Sequence, residues 1–189
     1  MHNFIGIPIY TERLLLRPLD LTDAEALFAF FSDAEVMRYW STRPWTSIEQ
    51  AEAFIEQSQQ GIETGQCLRL GIVRRPDLNL IGQCTLFGIN SSCRRAEIGY
   101  SLGRLNWGNG FANEALAALI TYAFETMNLN RIEADIDPRN TGSARVLHRL
   151  GFSKEGYLRE RWIVGKEVSD SELYGLLRRD WARAHASDA

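Results

Sequence analysis

The sequence predicts an α+β fold with a mixed, mostly antiparallel sheet and one β-α-β crossover at its centre. Three strand-like apolar runs, at residues 66–74, 80–88 and 96–102, follow one another across short connections and indicate an antiparallel meander. A helical repeat at residues 110–127 carries apolar side chains at i, i+3, i+4 and i+7. It lies between the third run and another alternating run at residues 131–137, which predicts the crossover.

Two helices are expected before the meander. A short apolar run at residues 14–16 is followed by Thr22-x-x-Glu25, a capping-box pattern that opens the first helix. The pattern returns at Thr46-x-x-Glu49 and opens the second.

After the crossover, a turn leads to Asn140, which opens a short helix that ends at Gly151. Two strands, at residues 152–164 and 168–177, close the chain. The predicted order is therefore β-α-α-β-β-β-α-β-α-β-β, within one domain that spans residues 1–189.

Composition excludes several classes of protein. Among 189 residues, 21 Lys and Arg stand against 24 Asp and Glu, so the formal charge is −3. A nucleic-acid-binding protein needs a basic surface, and none is indicated. The apolar stretch at residues 115–124 is shorter than the roughly 20 residues of a membrane span. With no secretory leader recognisable, we expect a cytoplasmic protein that binds neither nucleic acid nor membranes.

No metal site is expected. The cysteines are odd in number and lack C-x-x-C spacing, which argues against both a disulfide framework and zinc. The histidines form no H-E-x-x-H pair. These residues are Cys67, Cys84, Cys93, His2, His148 and His185.

A glycine-containing loop precedes the long helix. Gly108 and Gly110 allow close approach of the backbone to a ligand, and the first N–H groups of a helix lack internal partners, so the loop suits a pyrophosphate. A tight turn without a ligand explains two glycines equally well. The loop is not a P-loop, because the Gly-Lys-Ser/Thr sequence of that motif is absent. A dinucleotide-binding loop would need a third glycine where Asn113 stands. Glu133 and Asp135 do lie near the position expected for a ribose-binding acid, so dinucleotide binding stays a weaker alternative.

The chain resembles the GNAT superfamily of N-acetyltransferases over residues 11–181, and within it the RimJ/RimL-like ribosomal-protein N-terminal acetyltransferases. The motifs are Thr11-Glu12-Arg13-Leu14-x-Leu16-Arg17, Glu97-Ile98-Gly99-Tyr100, Trp107-Gly108-x-Gly110-Phe111-Ala112-x-Glu114-Ala115, Asn140-x-x-Ser143 and Leu150-Gly151-Phe152. The resemblance implies helices on both faces of the sheet, acetyl-CoA as co-substrate and acetylation of a protein N-terminal amine. A small-molecule amine or antibiotic as acceptor, and a CoA- or nucleotide-binding module without catalysis, remain alternatives.

The resemblance also implies that the two parallel strands splay apart to admit the pantetheine arm, with a strand N–H near Tyr100 or Ser101 donating to the thioester oxygen. Trp107 departs from the Arg or Gln of the family's loop, which need not abolish binding because backbone N–H groups hold the pyrophosphate. The implied cofactor-binding residues are Tyr100, Ser101, Leu102, Trp107, Gly108, Asn109, Gly110, Phe111, Ala112, Asn140 and Ser143.

Ser143 is the catalytic candidate for protonating the leaving sulfur, since the Tyr that other superfamily members use is replaced by Leu147. Asn140 could equally be a plain N-cap. Glu97 is the candidate base that deprotonates the amine, with a surface acid as the alternative. The family's catalytic Glu falls at Trp162, not at the nearby Glu160, which leaves the base open.

An aromatic-rich connection between the first two helices is expected to line the acceptor pocket, with Tyr39, Trp40 and Trp45 as candidate substrate-binding residues. Core packing is the alternative for these rings. Glu114, in the first turn of the long helix, is interpreted as structural. The partners are acetyl-CoA and an amine acceptor, and the protein is expected to be a monomer or homodimer.

Overall fold

The structure, a computed structural model, describes residues 4–186, so His2 lies outside the described residues. The strands are β1 (Ile9–Tyr10), β2 (Leu14–Pro18), β3 (Leu68–Arg74), β4 (Asn79–Asn90), β5 (Arg95–Leu102), β6 (Arg131–Ile136), β7 (Ser153–Val164) and β8 (Glu167–Leu177). The helices are α1 (Ala24–Phe31), α2 (Ala34–Met37), α3 (Glu49–Thr64), α4 (Phe111–Glu125), α5 (Thr141–Arg149) and α6 (Arg178–Ala186).

Over the described part of the chain, eight strands form one sheet in the order β1-β2-β3-β4-β5-β6-β8-β7. Strands β5 and β6 pair in parallel, and the other neighbours pair antiparallel. Helix α4 connects the parallel pair, as a crossover between parallel strands requires. The predicted mixed sheet with a central crossover is confirmed.

One face of the sheet is covered by α4. Leu68, Leu70 and Ile72 alternate along β3 and are fully buried in the same cluster as Leu116 and Leu119 of α4. Burying one such side chain contributes about 1.5–3 kcal/mol, so this cluster is the main source of stability. The apolar side chains whose helical spacing predicted α4 therefore form the face of the helix that packs on the sheet.

The opposite face is covered by α1 and α3. Leu27 and Phe31 of α1 and Ile55 of α3 are buried in a second cluster. Trp45 packs into it, with its ring centroid 4.4 Å from that of Phe31 and 5.3 Å from that of Phe54. Helices thus lie on both faces, as the resemblance implies.

Neither predicted capping box forms at the predicted residue. Asp20, two residues before Thr22, caps a short 3-10 turn that leads into α1, and Asp23 completes the box. Helix α3 has no side-chain N-cap, and the Gln50 side chain accepts instead from the backbone N–H groups of Thr46 and Ser47. Ser, Thr, Asp and Asn are similar N-caps, so the sequence pattern alone does not choose among close neighbours.

Three short elements were absent from the predicted order: β1, α2 and α6. Helix α6 packs through Trp181 against Phe124 of α4. Arg178, Arg179 and Arg183 lie on this helix. β1 and α2 span too few residues to show periodicity, and α6 offers only Trp181 and alanines as apolar residues, so its periodic pattern is weak.

The cysteines Cys67, Cys84 and Cys93 are free, and they are half-buried, buried and exposed respectively. Within residues 4–186 no group of three or more His, Cys, Asp or Glu is arranged to hold a metal ion. None of the helices described is long and apolar enough to cross a membrane.

Candidate active site

A gap opens in the sheet between β5 and β6. The two strands pair only through Arg95–Glu97 and Arg131–Glu133, which leaves the rest of each facing edge without a strand partner. A cavity of about 330 Å³ lies at this gap and is lined by residues of both strands, of α5 and of the aromatic connection. The splayed parallel strands therefore create a passage between the two faces of the sheet.

The glycine loop meets the helix on the α4 side. Gly108 and Gly110 have φ angles of 76° and 78°, a left-handed conformation that glycine adopts without strain. A Cβ at Gly108 would meet nothing within 4 Å, so the loop surface is open. The N–H of Glu114 makes the first helical bond, to Gly110 O at 3.1 Å, so the preceding N–H groups of the turn remain available. This arrangement fits a pyrophosphate at the positive end of a helix.

Side chains brace the loop from behind. Arg13 donates from Nε to Glu114 Oε2 at 2.6 Å and from Nη1 to Asn109 O at 3.1 Å, and it stacks over the Phe111 ring. Trp107 donates from Nε1 to Leu102 O at 2.8 Å, which fixes the loop to the end of β5. Glu114 is thus held by Arg13, in keeping with its structural interpretation.

The Asn140-x-x-Ser143 motif lies at the start of α5. Asn140 Oδ1 accepts from Ser143 N at 3.0 Å, so Asn140 is the N-cap. Ser143 Oγ lies 2.8 Å from the Tyr100 hydroxyl, and both residues line the cavity. Burial raises the pKa of Tyr100 to about 12, so its hydroxyl stays protonated. Leu147 is fully buried below them.

Glu97 lines the cavity on the opposite face of β5 from Tyr100, because neighbouring side chains along a strand alternate. Its pKa is raised, first by desolvation and then by repulsion from Asp135 and Glu133. Glu133 is itself paired with Arg95 and Arg131. A carboxyl with a raised pKa is a stronger base once it is ionised, which suits proton removal from an ammonium.

Of the aromatic connection, Tyr39 and Trp40 line the cavity and Trp45 does not. Trp45 therefore packs in the core, through its contacts with Phe31 and Phe54. On β7, Trp162 lines the cavity, whereas Glu160 lies outside its lining with φ at 53° and its N–H bonded to Asp170 Oδ1. The position that carries a Glu in the family thus presents an indole to this cavity.

Other predicted cofactor-binding residues lie outside the cavity lining, at the end of β5 and along the glycine loop. They are Ser101, Leu102, Trp107, Gly108, Asn109, Gly110, Phe111 and Ala112.

Several polar residues of the cavity were not predicted from the sequence, among them Arg69, Gln83 and Thr85. Gln83 is 1% exposed and its Oε1 has no partner in the described structure. A signal did exist, because Arg69 interrupts the apolar run of β3 and Gln83 that of β4. The Tyr100 hydroxyl was also missed, since only the strand N–H near Tyr100 had been considered.

The site geometry agrees with comparisons to known proteins. The family model for an acetyltransferase (GNAT) domain matches residues 13–153. The chain belongs to the GNAT acetyltransferase family. An uncharacterized N-acetyltransferase p20 from Bacillus licheniformis is 42% identical over 174 residues, covering 92% of this chain and 98% of the relative. This GNAT protein is therefore an N-acetyltransferase that uses acetyl-CoA.

Two further similarities concern different acceptors. The [ribosomal protein uS5]-alanine N-acetyltransferase of Escherichia coli is 27% identical over 188 residues, covering 95% of each chain. A solved spermidine N-acetyltransferase from Vibrio cholerae, in complex with CoA and spermine, has a TM-score of 0.80 at 24% identity and covers 91% of this chain and 99% of that chain. The second likeness shows the fold alone.

Proposed function

We propose that this GNAT acetyltransferase transfers the acetyl group to the N-terminal α-amine of a protein. The observation that carries the proposal is the placement of Glu97 and the Tyr100–Ser143 pair on opposite faces of one cavity in the sheet. A base for the amine and a proton donor for the leaving sulfur then approach one carbonyl from its two sides. The relative that acetylates a ribosomal-protein alanine supports the choice of acceptor.

On the cofactor side, the loop N–H groups from Gly108 to Ala112 bind the pyrophosphate, and Asn140 orders the turn that presents Ser143. Bound acetyl-CoA supplies an acyl carbon activated by a thiolate leaving group. Ser143 donates its hydroxyl proton to the sulfur as the carbon–sulfur bond breaks, and the Tyr100 hydroxyl stabilises the serine oxygen by a hydrogen bond.

On the acceptor side, Glu97 removes a proton from the substrate ammonium, directly or through water. The neutral amine then forms the new carbon–nitrogen bond, and the second proton that its nitrogen loses replaces, through solvent, the proton that Ser143 gives to the leaving sulfur. A peptide α-amine has a pKa near ~7.7–8.0 and a lysine amine near ~10.4, so far more of the α-amine is neutral at pH 7. The reaction should therefore favour N-termini over lysine side chains.

The test is acetylation of a short peptide that begins with Ala or Ser and also contains an internal lysine, followed by mass spectrometry. Acetate on the α-amine with little on the lysine is the expected result. Acetate mainly on the lysine, or on neither amine while a free small amine reacts, contradicts the N-terminal acceptor.

A small polycationic amine is the second candidate, and one feature favours it. Glu97, Glu133 and Asp135 lie near one another on the strands that form the gap, and such carboxylates attract cationic groups. Glu133 and Asp135 are engaged by arginines, however, and this leaves Glu97 as the carboxylate of the three without an ion pair in the described structure. Spermidine in the same assay distinguishes the two candidates.

A further inference from the structure

Arg69 is a half-buried guanidinium at the cavity with no carboxylate beside it. It stacks over the Phe54 ring, 4.1 Å from the centroid, and donates from Nη1 to Ser58 Oγ at 2.9 Å. Its Nε is buried without a partner, and Nη2 makes no hydrogen bond within the described residues. No acid of the described chain lies within ion-pair distance.

An arginine in this environment is unusual. Removing a guanidinium from water costs free energy, and the cost is normally offset by a paired carboxylate and by hydrogen bonds to each nitrogen. Arg69 cannot lose its charge instead, because the arginine pKa stays far above neutral pH. The packing of Phe54 and Ser58 holds the charge at the cavity, where a molecule that enters can supply the counter-charge.

Arg69 lies on the same face of the sheet as Glu97. It pairs in register with Thr85, Thr85 pairs with Gly99, and Glu97 is two residues from Gly99 on β5. The two residues are separated by two strand-to-strand distances across the sheet and by two residues along a strand. Their Cα atoms are therefore about 12 Å apart. The cavity therefore offers a carboxylate at one end and a guanidinium at the other.

Gln83 lies near Arg69, on the side of the Arg69–Thr85 pair that faces away from Glu97. It is on β4, two residues from Thr85, and its Oε1 is buried without a donor. An unpaired buried acceptor lowers the stability of the fold unless a ligand supplies a hydrogen bond. A peptide that extends from Glu97 to the Arg69 end of the cavity can supply it from a backbone N–H, whereas a short alkyl amine bound at Glu97 does not reach Gln83.

We propose that Arg69 binds a carboxylate of the acceptor, and that the acceptor is a peptide N-terminus with an acidic side chain at its second or third position. The proposal rests on the proposed function and adds a specificity to it. With the α-amine at Glu97, one or two peptide units of about 3.3–3.6 Å and an acidic side chain span the distance to Arg69. A free α-amino acid is too short, because its amine and carboxylate share one carbon.

The experiment compares matched peptides with N-terminal Ala and either Glu or Gln at position two, and a second pair differing in the same way at position three. KM and kcat are measured for the wild-type enzyme, Arg69→Met and Arg69→Lys. Arg74→Met is the control, since it changes another arginine of β3 that pairs with Asp77 outside the cavity.

We expect the wild-type enzyme to show a KM about tenfold or more lower for the Glu peptide of at least one pair, because charge-assisted hydrogen bonds are the strong ones. Arg69→Met should raise that KM to the value for the Gln peptide without changing the KM for the Gln peptide or for acetyl-CoA. Arg69→Lys should retain part of the preference, and Arg74→Met all of it.

Equal KM values for Glu and Gln peptides in the wild-type enzyme overturn the proposal, and this comparison needs no variant that must fold. If Arg69→Met raises the KM equally for the Glu and the Gln peptide, Arg69 has a structural role, and this result also overturns the proposal. Acetylation of the Gln peptides shows that the proposed function stands even then. Free glutamate, tested in parallel, overturns the peptide acceptor if it alone reacts.

Discussion

The two sides of the proposed site are built differently. The proposed cofactor wall runs from the unpaired edge of β5, at the cavity, to the glycine loop outside the cavity lining, and it presents chiefly backbone groups. The acceptor wall presents side chains, with Glu97, Arg69 and Gln83 on three neighbouring strands. Backbone groups are insensitive to side-chain replacement, so Trp107 can stand where the family has Arg or Gln. Acceptor preference, by contrast, depends on a few side chains and can change with each of them.

The largest effect should come from Gly110→Val, which breaks the cofactor wall. A Val at φ 78° is strained, and its Cβ would lie 3.5 Å from Arg13 Nη2, in the guanidinium that braces the loop, so the loop backbone should leave the position that suits a pyrophosphate. We expect acetyl-CoA affinity to fall at least a hundredfold, measured by calorimetry on the folded variant.

The matched control is Gly88→Val. Gly88 also has a positive φ, 57°, a Cβ at this position would meet nothing within 4 Å, and the residue lies outside the cavity lining. The Gly88→Val variant carries similar backbone strain and should bind acetyl-CoA normally. Unchanged affinity in Gly110→Val would remove the loop from the cofactor wall.

Glu97→Gln breaks the acceptor wall. We expect kcat to fall on the order of a hundredfold or more, with acetyl-CoA affinity retained. In the wild-type enzyme, the rate should fall with decreasing pH through the raised pKa of Glu97. Glu133→Gln removes one of the repelling charges and should move this acid limb to lower pH. An acid limb that persists in Glu97→Gln would assign the base to another group.

Glu97→Gln should also change the pH dependence of the protein's stability. Because the folded protein raises the pKa of Glu97, its favourable contribution is present at low pH and is lost as pH rises through that pKa. Glu97→Gln should therefore have a slightly higher Tm than the wild type at pH 7, and the difference should vanish in acid. A lower Tm at pH 7 would contradict the unfavourable environment assigned to the carboxylate.

Ser143→Ala tests the proton donor to the sulfur. We expect kcat to fall on the order of a hundredfold while acetyl-CoA binding changes little, because this hydrogen bond strengthens as charge develops on sulfur. Tyr100→Phe, which removes only the 2.8 Å partner of Ser143, should cost less. An unaffected kcat in Ser143→Ala would shift the role to Tyr100 or to water.

The smallest effect should come from Trp107→Phe. It removes the hydrogen bond to Leu102 O but keeps an aromatic ring and the loop backbone. We expect a severalfold loss of acetyl-CoA affinity by calorimetry and an unchanged preference among acceptors. A loss as large as that of Gly110→Val would mean that side chains, not backbone groups, dominate this wall.

The local geometry of the proposed cofactor wall could be predicted from the sequence because its signals are local. Each of these signals involves only a few neighbouring residues: the glycines Gly108 and Gly110, the helical periodicity that follows them, and the motif Asn140-x-x-Ser143. The acceptor wall was less accessible, since Arg69 acquires its partners only when α3 packs on β3. Trp45 shows the same limit, because the pattern of aromatic residues does not say which rings face a cavity and which face Phe31.

The most direct test of this two-walled cavity is a crystal structure with a CoA–acetyl–peptide conjugate whose peptide begins Ala-Glu. We expect the pyrophosphate on the glycine-loop N–H groups, the sulfur within hydrogen-bond reach of Ser143 Oγ, and the peptide on the Glu97 face with its carboxylate at Arg69. A conjugate whose peptide half leaves the cavity, or whose sulfur lies away from the gap between β5 and β6, would contradict this arrangement.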